Sequence, residues 1–332
     1  MESISIVIPA LNGMETLPRV FDALAAQDLA ADIVVVDSGS RDGTVEHARG
    51  HGATVIEIAP GTFNHGATRN LGIAHAAGAL VVLLVQDAVP ASSGWLRALT
   101  APFAMDSAVA GTFGRQIPWP AARSLARWSG RDWIAAGAIA RLSGPLSAGE
   151  FDRLSPDERH RACVFDNVCS CVRRDIWSRH PFRETPIAED LEWGREVLLA
   201  GFRIAYAPEA GVWHSHERGV RDEWRRTRDV HRRLFELFGL TTIPSRRALL
   251  RSVASAVITH VRIASRDRSL TAIARAAALG VAWPVGQYVG ARQARRALQA
   301  ARLHAAPKHP APKVPSTISQ HPAPSTDTRR PR

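Results

Sequence analysis

Short, continuous apolar runs alternate with helical patterns through the first ninety residues of this chain. The strand-like runs are residues 4–8, 33–36, 54–58 and 80–85, and the helical segments between them are 17–26, 43–51 and 67–77. Strands that are apolar along their whole length are typical of parallel sheets covered by helices on both faces. The sequence therefore predicts an α/β fold with a mostly parallel central sheet.

Polar residues follow two of these strands directly. Asp37 ends the second strand and Asp87 follows the fourth, so both are predicted at the carboxyl ends of the strands, where ligands of such sheets bind. The Ser/Gly-rich turn after Asp37 opens a helix whose N-terminus favours anions. An ordinary turn with Asp42 as helix cap fits equally well. The chain has no Gly-x-Gly-x-x-Gly and no Walker lysine, which argues against a dinucleotide dehydrogenase or a P-loop enzyme.

The alternation stops after the first hundred residues. Residues 112–165 are rich in Arg, Trp, Gly and Pro, and we interpret them as a long insertion over the site. A helix over 191–200 and a last strand over 203–206 follow. Three basic helical segments come next, at 220–239, 245–265 and 269–302, and then a Pro/Ser/His-rich tail whose composition predicts disorder. The predicted domains are residues 1–217, 218–304 and 305–332.

The positive charge of the chain is concentrated in these basic segments. The net charge is +11, but residues 218–302 carry 18 Arg and 5 acidic residues, or +13, while residues 1–217 carry −6. A solvated helix face, an anionic membrane surface and nucleic acid each fit such charge. Nucleic acid is disfavoured because no groove-reading motif is present. Apolar residues among the arginines favour an interfacial membrane helix.

Other features of the sequence bear on the cellular compartment. The chain enters its first strand without a signal peptide, and the charge-free run 276–291 is shorter than the ~20 residues that span a bilayer. The three cysteines form no Cys-x-x-Cys pair, so we expect neither a disulfide framework nor structural zinc. We expect a cytoplasmic protein, peripheral to the inner face of the cell membrane.

Two short motifs suggest chemistry. Glu189-Asp190 could supply a carboxylate that accepts a proton from a nucleophile, and His214-Ser215-His216 an imidazole that helps to hold a metal on a diphosphate leaving group. Each motif also has a purely structural alternative. The acidic pair could complement a helix dipole, and the histidine could form an ordinary hydrogen bond at a strand end. His216 is the weaker candidate, since only one of the two imidazoles need face the metal. A single base without a second nucleophilic carboxylate implies a single displacement, which inverts the configuration of the carbon that is attacked.

Six motifs occur in order and at sensible spacing. They are residues 8–13 (Ile-Pro-Ala-Leu-Asn-Gly), 35–44 (Val-Val-Asp-Ser-Gly-Ser-Arg-Asp-Gly-Thr), 63–72 (Phe-Asn-His-Gly-Ala-Thr-Arg-Asn-Leu-Gly), 86–90 (Gln-Asp-Ala-Val-Pro), Glu189-Asp190 and His214-Ser215-His216. Over about residues 4–217 the chain resembles a family 2 glycosyltransferase of GT-A fold, in the bacterial rhamnosyltransferase-like subgroup. The resemblance implies a GT-A nucleotide-diphospho-sugar transferase fold, to which the basic helices are added.

The resemblance also implies roles for matching residues. Asp190 would be the catalytic base, and Asp87 and His214 would hold Mg²⁺ or Mn²⁺. The donor side would comprise Pro9, Asn12, Asp37, Ser38, Arg69, Gln86 and Asp87. The acceptor side would comprise Glu189, Trp193 and Asn167, although Trp193 fits the core equally well. Val85 replaces the first acid of the family's Asp-x-Asp motif, which puts ribose contact and metal affinity in question.

The expected function is therefore an inverting, metal-dependent glycosyltransferase. It would move a sugar, L-rhamnose from dTDP-L-rhamnose in our first interpretation, onto a lipid-linked or polysaccharide acceptor. One alternative is the same fold with another donor, such as a UDP-hexose. A second is a catalytically silent nucleotide-sugar binder, which the missing first acid keeps open. The expected partners are the donor, the acceptor and an anionic membrane surface, without nucleic acid.

Overall fold

The computed structural model describes residues 2–130 and 134–305, with the side chains of 302–305 left aside. Residues 1–295 form one compact unit and residues 296–332 a second. Apart from its first residue, the tail that we predict to be disordered lies outside the described residues. The domain boundary expected after residue 217 stays a prediction about which part folds alone.

The described residues form nine strands and twelve α-helices. The strands are β1 (Ile4–Ala10), β2 (Asp32–Asp37), β3 (Thr54–Glu57), β4 (Leu80–Leu84), β5 (Val89–Pro90), β6 (Val109–Ile117), β7 (Arg141–Ser143), β8 (Cys169–Arg173) and β9 (Arg203–Trp213). The helices are α1 (Leu17–Ala25), α2 (Thr44–Gly50), α3 (His65–His75), α4 (Trp95–Met105), α5 (Ser124–Ser129), α6 (Ala148–Arg153), α7 (Pro156–Ala162), α8 (Arg174–Trp177), α9 (Glu189–Leu199), α10 (Val220–Phe238), α11 (Arg246–Ala264) and α12 (Leu270–Ala305).

All nine strands join one sheet. Its order is β3-β2-β1-β4-β8-β6-β9-β5, with β7 paired to β9 outside this path. Strands β1, β2, β3, β4, β6 and β9 run in one direction, and β5, β7 and β8 run against them. The sheet is therefore mixed and mostly parallel, as predicted.

The sheet is buried on both faces, which explains its apolar strands. In β2, Val34 and Val36 belong to one core cluster, while Val35 between them belongs to the other. Because successive side chains of a strand point to opposite faces, only a strand covered on both sides needs an apolar residue at every position. The helices on the two faces supply that cover.

The middle of the chain differs from the prediction. Residues 112–165 are not simply an insertion, because β6 and β7 both pair with β9 and so belong to the main sheet. The antiparallel β8, between β4 and β6, was also not foreseen. Its sequence, Cys-Ser-Cys-Val-Arg, has only five residues and combines apolar with polar ones, so it gives no clear strand pattern. The three basic segments are helices, as predicted, and α10 contributes Leu234 and Phe238 to a core cluster of the main unit.

Candidate active site

The turn after β2 is held by the carboxylate at its first position. Asp37 is 1% exposed, and its Oδ1 accepts hydrogen bonds from the backbone N–H of Gly39 and of Ser40, both at 2.9 Å. The hydroxyl of Ser40 donates to the other oxygen of the same carboxylate. Gly39 has φ +95°, where a side chain is strained. Asp37, predicted to contact the donor, thus shapes the turn in this structure.

The other residues predicted on the donor side lie at the same rim, except Arg69, which is buried on α3. Asn12 has φ 47°, and its side-chain oxygen accepts from the backbone N–H of Arg41 at 2.9 Å. Gln86 accepts from the backbone N–H of Leu11 at 2.8 Å and donates back to its carbonyl at 3.2 Å. These bonds link the carboxyl ends of β1, β2 and β4. Pro9 is near the end of β1, paired to Val36. Ser38 directly follows β2, and its backbone N–H donates to the carbonyl of Ala10 at 2.9 Å.

Asp87 lies beside both histidines of the His-Ser-His motif. One ligand atom from each of Asp87, His214 and His216 lies within 4.8 Å of the others. His216 Nδ1 is 3.3 Å and His214 Nε2 is 3.7 Å from the Asp87 carboxylate. From the sequence, His216 is the weaker candidate for a metal ligand, but in the structure both imidazoles face the Asp87 carboxylate. One carboxylate and two imidazoles form a possible site for a divalent cation.

The environment keeps both imidazoles neutral. Burial lowers the pKa of His214 to about 4, and the positive charges of Arg218 and Arg226 lower it further. Burial, together with His214, lowers the pKa of His216 to about 4 as well, against the opposing effect of Asp87. A neutral imidazole has a free lone pair, which is the form that binds a metal. Among the described residues His214 Nε2 is buried and has no hydrogen-bond partner, so its lone pair is available to a cation.

Gln116, at the end of β6, contacts the other nitrogen of His214. The distance from His214 Nδ1 to Gln116 Oε1 is 2.9 Å, and Gln116 Nε2 donates to Asp166 Oδ2 at 2.5 Å. A chain of polar contacts therefore runs from the metal-type cluster through Gln116 to Asp166. No motif of the sequence pointed to Gln116, because its two partners are 50 and 98 residues away along the chain.

Asp190 lies in the first turn of α9, two residues after a residue with unusual backbone geometry. Ala188, which precedes the helix, has φ 64°, a conformation that residues other than glycine rarely adopt. Burial raises the pKa of Asp190 well above its ordinary value, and the negative charges of Glu189 and Asp166 raise it further. A carboxylate with a raised pKa is a stronger base, which suits it to accept a proton.

Glu189 and Asn167, both predicted on the acceptor side, are buried beneath Asp190. Glu189 pairs with Arg69 at 3.1 Å, with both side chains 6% exposed, and accepts from Asn167 Nδ2 at 3.1 Å. Asn167 in turn accepts from Ser170 at 2.9 Å, and its backbone N–H lies 3.5 Å from Asp190. Glu189, Asn167 and Arg69 thus form a support under the candidate base, and Arg69 has no other carboxylate partner among the described residues.

Trp193 is not a surface platform. Its side chain is 1% exposed, packs against Phe165 and Phe182 at ring-centroid distances of 4.5 and 5.5 Å, and donates to the carbonyl of His180. On helix α9 it is three residues beyond Asp190 and lies on nearly the same face, and its packing places that part of the face against the core. Of the two interpretations that the sequence allowed, the core is therefore correct and the acceptor-side assignment of Trp193 is wrong.

Comparison with known proteins agrees with this geometry. Residues 5–136 match the family model described as glycosyl transferase family 2. The chain is 32% identical over 232 residues to the O-antigen chain rhamnosyltransferase RfbN of Salmonella typhimurium, covering 68% of this chain and 71% of that protein. It is 30% identical over 235 residues to the O-antigen chain rhamnosyltransferase WbaN of Salmonella anatum, covering 69% and 71%.

Solved structures share the fold. Glucosyl-3-phosphoglycerate synthase from Mycobacterium tuberculosis, in complex with phosphoglyceric acid, superposes with a TM-score of 0.51 at 21% identity, covering 74% of this chain and 82% of that one. The same enzyme with Mn²⁺, uridine diphosphate and glucosyl-3-phosphoglycerate also gives 0.51, at 20% identity and the same coverage. The predicted α/β nucleotide-diphospho-sugar transferase fold is confirmed.

Proposed function

This chain belongs to glycosyl transferase family 2, and from that premise we propose that it is an inverting, metal-dependent rhamnosyltransferase. Its donor would be dTDP-L-rhamnose, and its acceptor a lipid-linked or polysaccharide hydroxyl. The relatives RfbN and WbaN, named as O-antigen chain rhamnosyltransferases, support this choice of sugar and acceptor class. Glycosyl transfer itself follows from the family; the donor sugar and the acceptor are the proposal.

One observation supports the proposal most strongly: a chain of polar contacts connects the candidate metal cluster with the surroundings of the candidate base. Asp87, His214 and His216 form the cation-type cluster, and Gln116 and Asp166 connect His214 to the surroundings of Asp190. A group-transfer enzyme needs a positive charge at the leaving group and a base at the nucleophile. A protein that only bound a nucleotide sugar would have no need of a carboxylate with a raised pKa beside the acceptor.

Asp87, His214 and His216 would hold the cation. The buried, unpartnered Nε2 of His214 fits this assignment, because an imidazole nitrogen without any partner is otherwise costly to bury. A bound Mg²⁺ or Mn²⁺ would neutralise the developing charge on the diphosphate. Two nitrogen ligands favour Mn²⁺, since Mg²⁺ binds mainly to oxygen. Val85, in place of the first acid, packs against a core cluster instead of facing the cation as a ligand.

Asp190 would serve as the base in a single displacement. The acceptor oxygen forms a bond to the anomeric carbon while the bond from that carbon to the diphosphate oxygen breaks, and the acceptor proton passes to the Asp190 carboxylate. One displacement inverts the anomeric configuration. The pair of Arg69 and Glu189, with Asn167, would keep Asp190 in place during this step. The half-buried Arg218 and the exposed Arg226 would add positive charge near the diphosphate, because their charges already act on His214.

Donor hydrolysis tests the proposal without knowledge of the acceptor. The full-length protein would be incubated with Mn²⁺ and either dTDP-L-rhamnose, UDP-glucose or GDP-mannose, and the released nucleoside diphosphate measured. We expect release from dTDP-L-rhamnose at least tenfold faster than from the others, and its loss in excess chelator. Preference for a UDP-hexose would replace the donor assignment, and donor binding without any release would favour a silent binder. Full activity with chelator would contradict the metal requirement.

An acceptor carried on a lipid would require the protein to reach a membrane surface. Two stripes of exposed residues could make that contact: Arg247, Leu250, Arg251, Ile258 and Arg262 on α11, and Leu270, Ala274, Ala278 and Val281 on α12. Leu250, Ile258 and Leu270 are 72, 70 and 85% exposed. Large apolar side chains that are exposed beside arginines are typical of helices that bind a membrane surface. Among the described residues, no helix has both the length and the apolar character needed to cross a bilayer. We propose peripheral binding to the anionic inner face of the cell membrane through these two stripes.

Vesicle sedimentation tests the membrane proposal. Binding to phosphatidylglycerol vesicles should rise with the anionic fraction and fall with salt, because salt screens the attraction of the arginines. The double variant Leu250→Ser, Ile258→Ser should bind severalfold less. Met105→Ser is a matched control, since Met105 is 85% exposed on α4, away from both stripes. Equal binding by the wild type to neutral and anionic vesicles, or no binding at low salt, would contradict the proposal.

A further inference from the structure

Gln116 has the geometry of a residue that controls the neighbouring histidine. Its amide has two ends with opposite capacities: the oxygen can only accept hydrogen bonds and the nitrogen can only donate them. The nitrogen is 2.5 Å from Asp166 Oδ2, and the other oxygen of Asp166 accepts from the backbone N–H of Val168 at 3.1 Å. Because an ionised carboxylate can only accept, the nitrogen of Gln116 must face Asp166.

The orientation of this amide dictates the proton on His214. With its nitrogen on Asp166, Gln116 presents its oxygen to His214 Nδ1 at 2.9 Å. A hydrogen bond at that distance requires a proton on Nδ1, which leaves Nε2 as the unprotonated nitrogen. Nε2 is the atom that faces the Asp87 carboxylate at 3.7 Å, and in the described part of the chain no group forms a hydrogen bond with it.

We propose that Gln116 is a positioning residue that fixes His214 in the Nδ1-protonated tautomer, so that its Nε2 lone pair points at the Asp87 and His216 side of the cluster. The inference rests on the proposed function, in which these three residues hold the cation. Partners on the far nitrogen of a metal-binding histidine orient the ring and set its tautomer. Here that partner is an amide, fixed in turn by Asp166, whose charge also acts on Asp190.

The strand pairing supports the role of Gln116. On β6, Gln116 is paired in register with Val212 of the parallel strand β9, two residues before His214. The backbone N–H of His214 donates to the carbonyl of Ile117 at 2.9 Å. Gln116 and His214 are therefore held at the end of the same pair of strands, and their side chains meet without any mobile loop between them.

The test compares Gln116→Met with Gln116→Glu in the full-length protein. Methionine keeps the length of the side chain but removes the acceptor, so the proton of His214 can move to Nε2, where the carboxylate of Asp87 accepts it. Glutamate restores an acceptor for Nδ1–H, and its second oxygen faces Asp166 Oδ2, where a proton shared by the two carboxyl groups replaces the lost N–H donor. The tautomer would be read from imidazole ¹⁵N shifts of metal-free, ¹⁵N-histidine-labelled protein, with the His214 signals identified by their loss in His214→Asn. Affinity would be measured with Mn²⁺ alone, by electron paramagnetic resonance of the free ion.

In the wild type we expect His214 protonated on Nδ1. In Gln116→Met we expect the Nε2-protonated form to appear and the Mn²⁺ dissociation constant to rise about 10- to 100-fold. Gln116→Glu should keep the wild-type tautomer and bind Mn²⁺ within a few-fold of the wild type. Gln27→Met is the matched control. The side chain of Gln27 bonds Ala23, Ser92 and Leu96 near α1 and α4, so neither readout should change.

Two results would overturn the proposal. One is a wild-type His214 that carries its proton on Nε2; the other is a folded Gln116→Met protein with unchanged tautomer and unchanged Mn²⁺ affinity. Failure of the proposed function is a separate result. If the wild type bound no Mn²⁺ at all, the metal assignment would fall, while the tautomer in the metal-free proteins would still decide the role of Gln116.

Discussion

At the scale of single residues, the surroundings of Asp190 make its carboxylate a stronger base than an ordinary one. It is half-buried at the start of a helix, with two other carboxylates near enough to raise its pKa. Asp190→Asn keeps the shape of the side chain but removes its basicity. We expect turnover to fall by about 10²- to 10⁴-fold with donor affinity nearly unchanged, in steady-state kinetics and donor titration. Asp157→Asn, which alters an exposed carboxylate on α7, should leave both quantities unchanged. Equal turnover in Asp190→Asn would remove this residue from the mechanism.

The pH dependence of activity should report the raised pKa of Asp190. A base must be ionised, so kcat should rise with pH through that pKa, with an acid limb above the ordinary carboxyl value of 3.8. Glu189→Gln removes a negative charge that raises the pKa and leaves the cation Arg69 in place, so both effects favour ionised Asp190. The acid limb of the pH–rate profile should therefore move to lower pH. A limb that stays in place or moves to higher pH would contradict this electrostatic account. The position of the limb can be measured even if loss of the buried pair lowers stability.

At the scale of elements, the turn after β2 should be intolerant of side chains at Gly39. A Cβ there would lie 2.7 Å from Pro60 Cγ and would also require φ +95°. We expect Gly39→Ala to lower the free energy of unfolding by about 1–3 kcal/mol in urea titration. Gly52→Ala is the control, because Gly52 has φ +78° and nothing within 4 Å of its Cβ. Gly52→Ala should lower the free energy of unfolding only by the backbone strain of a side chain at positive φ, about 1 kcal/mol. Equal costs for the two variants would show that the contact with Pro60 relaxes freely.

Much of the fold could be predicted because its strands carry local signals. The runs before Asp37 and Asp87 are apolar at every position, and they form β2 and β4 of the parallel part of the sheet. The antiparallel β8 could not be predicted in this way. It is five residues long and is buried by neighbours that come from distant parts of the chain. Its place in the sheet depends on tertiary pairing, which a single sequence does not display.

In the candidate site, too, the residues in local motifs could be predicted, whereas those that depend on tertiary packing could not. Asp37, Asp87, Glu189-Asp190 and the His-Ser-His motif stand in recognisable local patterns, and the structure brings most of them to one rim. Gln116 stands in no pattern, since an isolated glutamine near the end of a strand is usually unremarkable. Trp193 had two interpretations because helical spacing from Asp190 does not by itself say which face of α9 is covered. Packing decided that question.

At the scale of the whole molecule, the basic helices cannot be removed without cost to the catalytic part. Phe238 of α10 is 1% exposed within a main core cluster, and Arg233 of the same helix pairs with Glu192 of α9 at 2.7 Å. Truncation after residue 217 would expose that core surface. We expect the shortened protein to aggregate or to melt several degrees lower in a thermal-shift assay, with weaker donor binding. A truncated protein with the wild-type melting temperature would show that residues 1–217 fold alone.

The pairing of β6 with β9 has a consequence for how such an enzyme can diverge. The register shifts twice, first between Val109 and Gly111 and then between Gly114 and Arg115, where β9 has three residues without a counterpart. After that second shift, residues 115–117 match residues 211–213 one for one. An insertion or deletion beyond the shift would turn alternate side chains to the opposite face and separate Gln116 from His214. Changes of length should therefore accumulate before the irregularity or in the surface loops, whereas the last three pairs should change by substitution alone. New donor preferences would then arise around a short segment whose length stays constant.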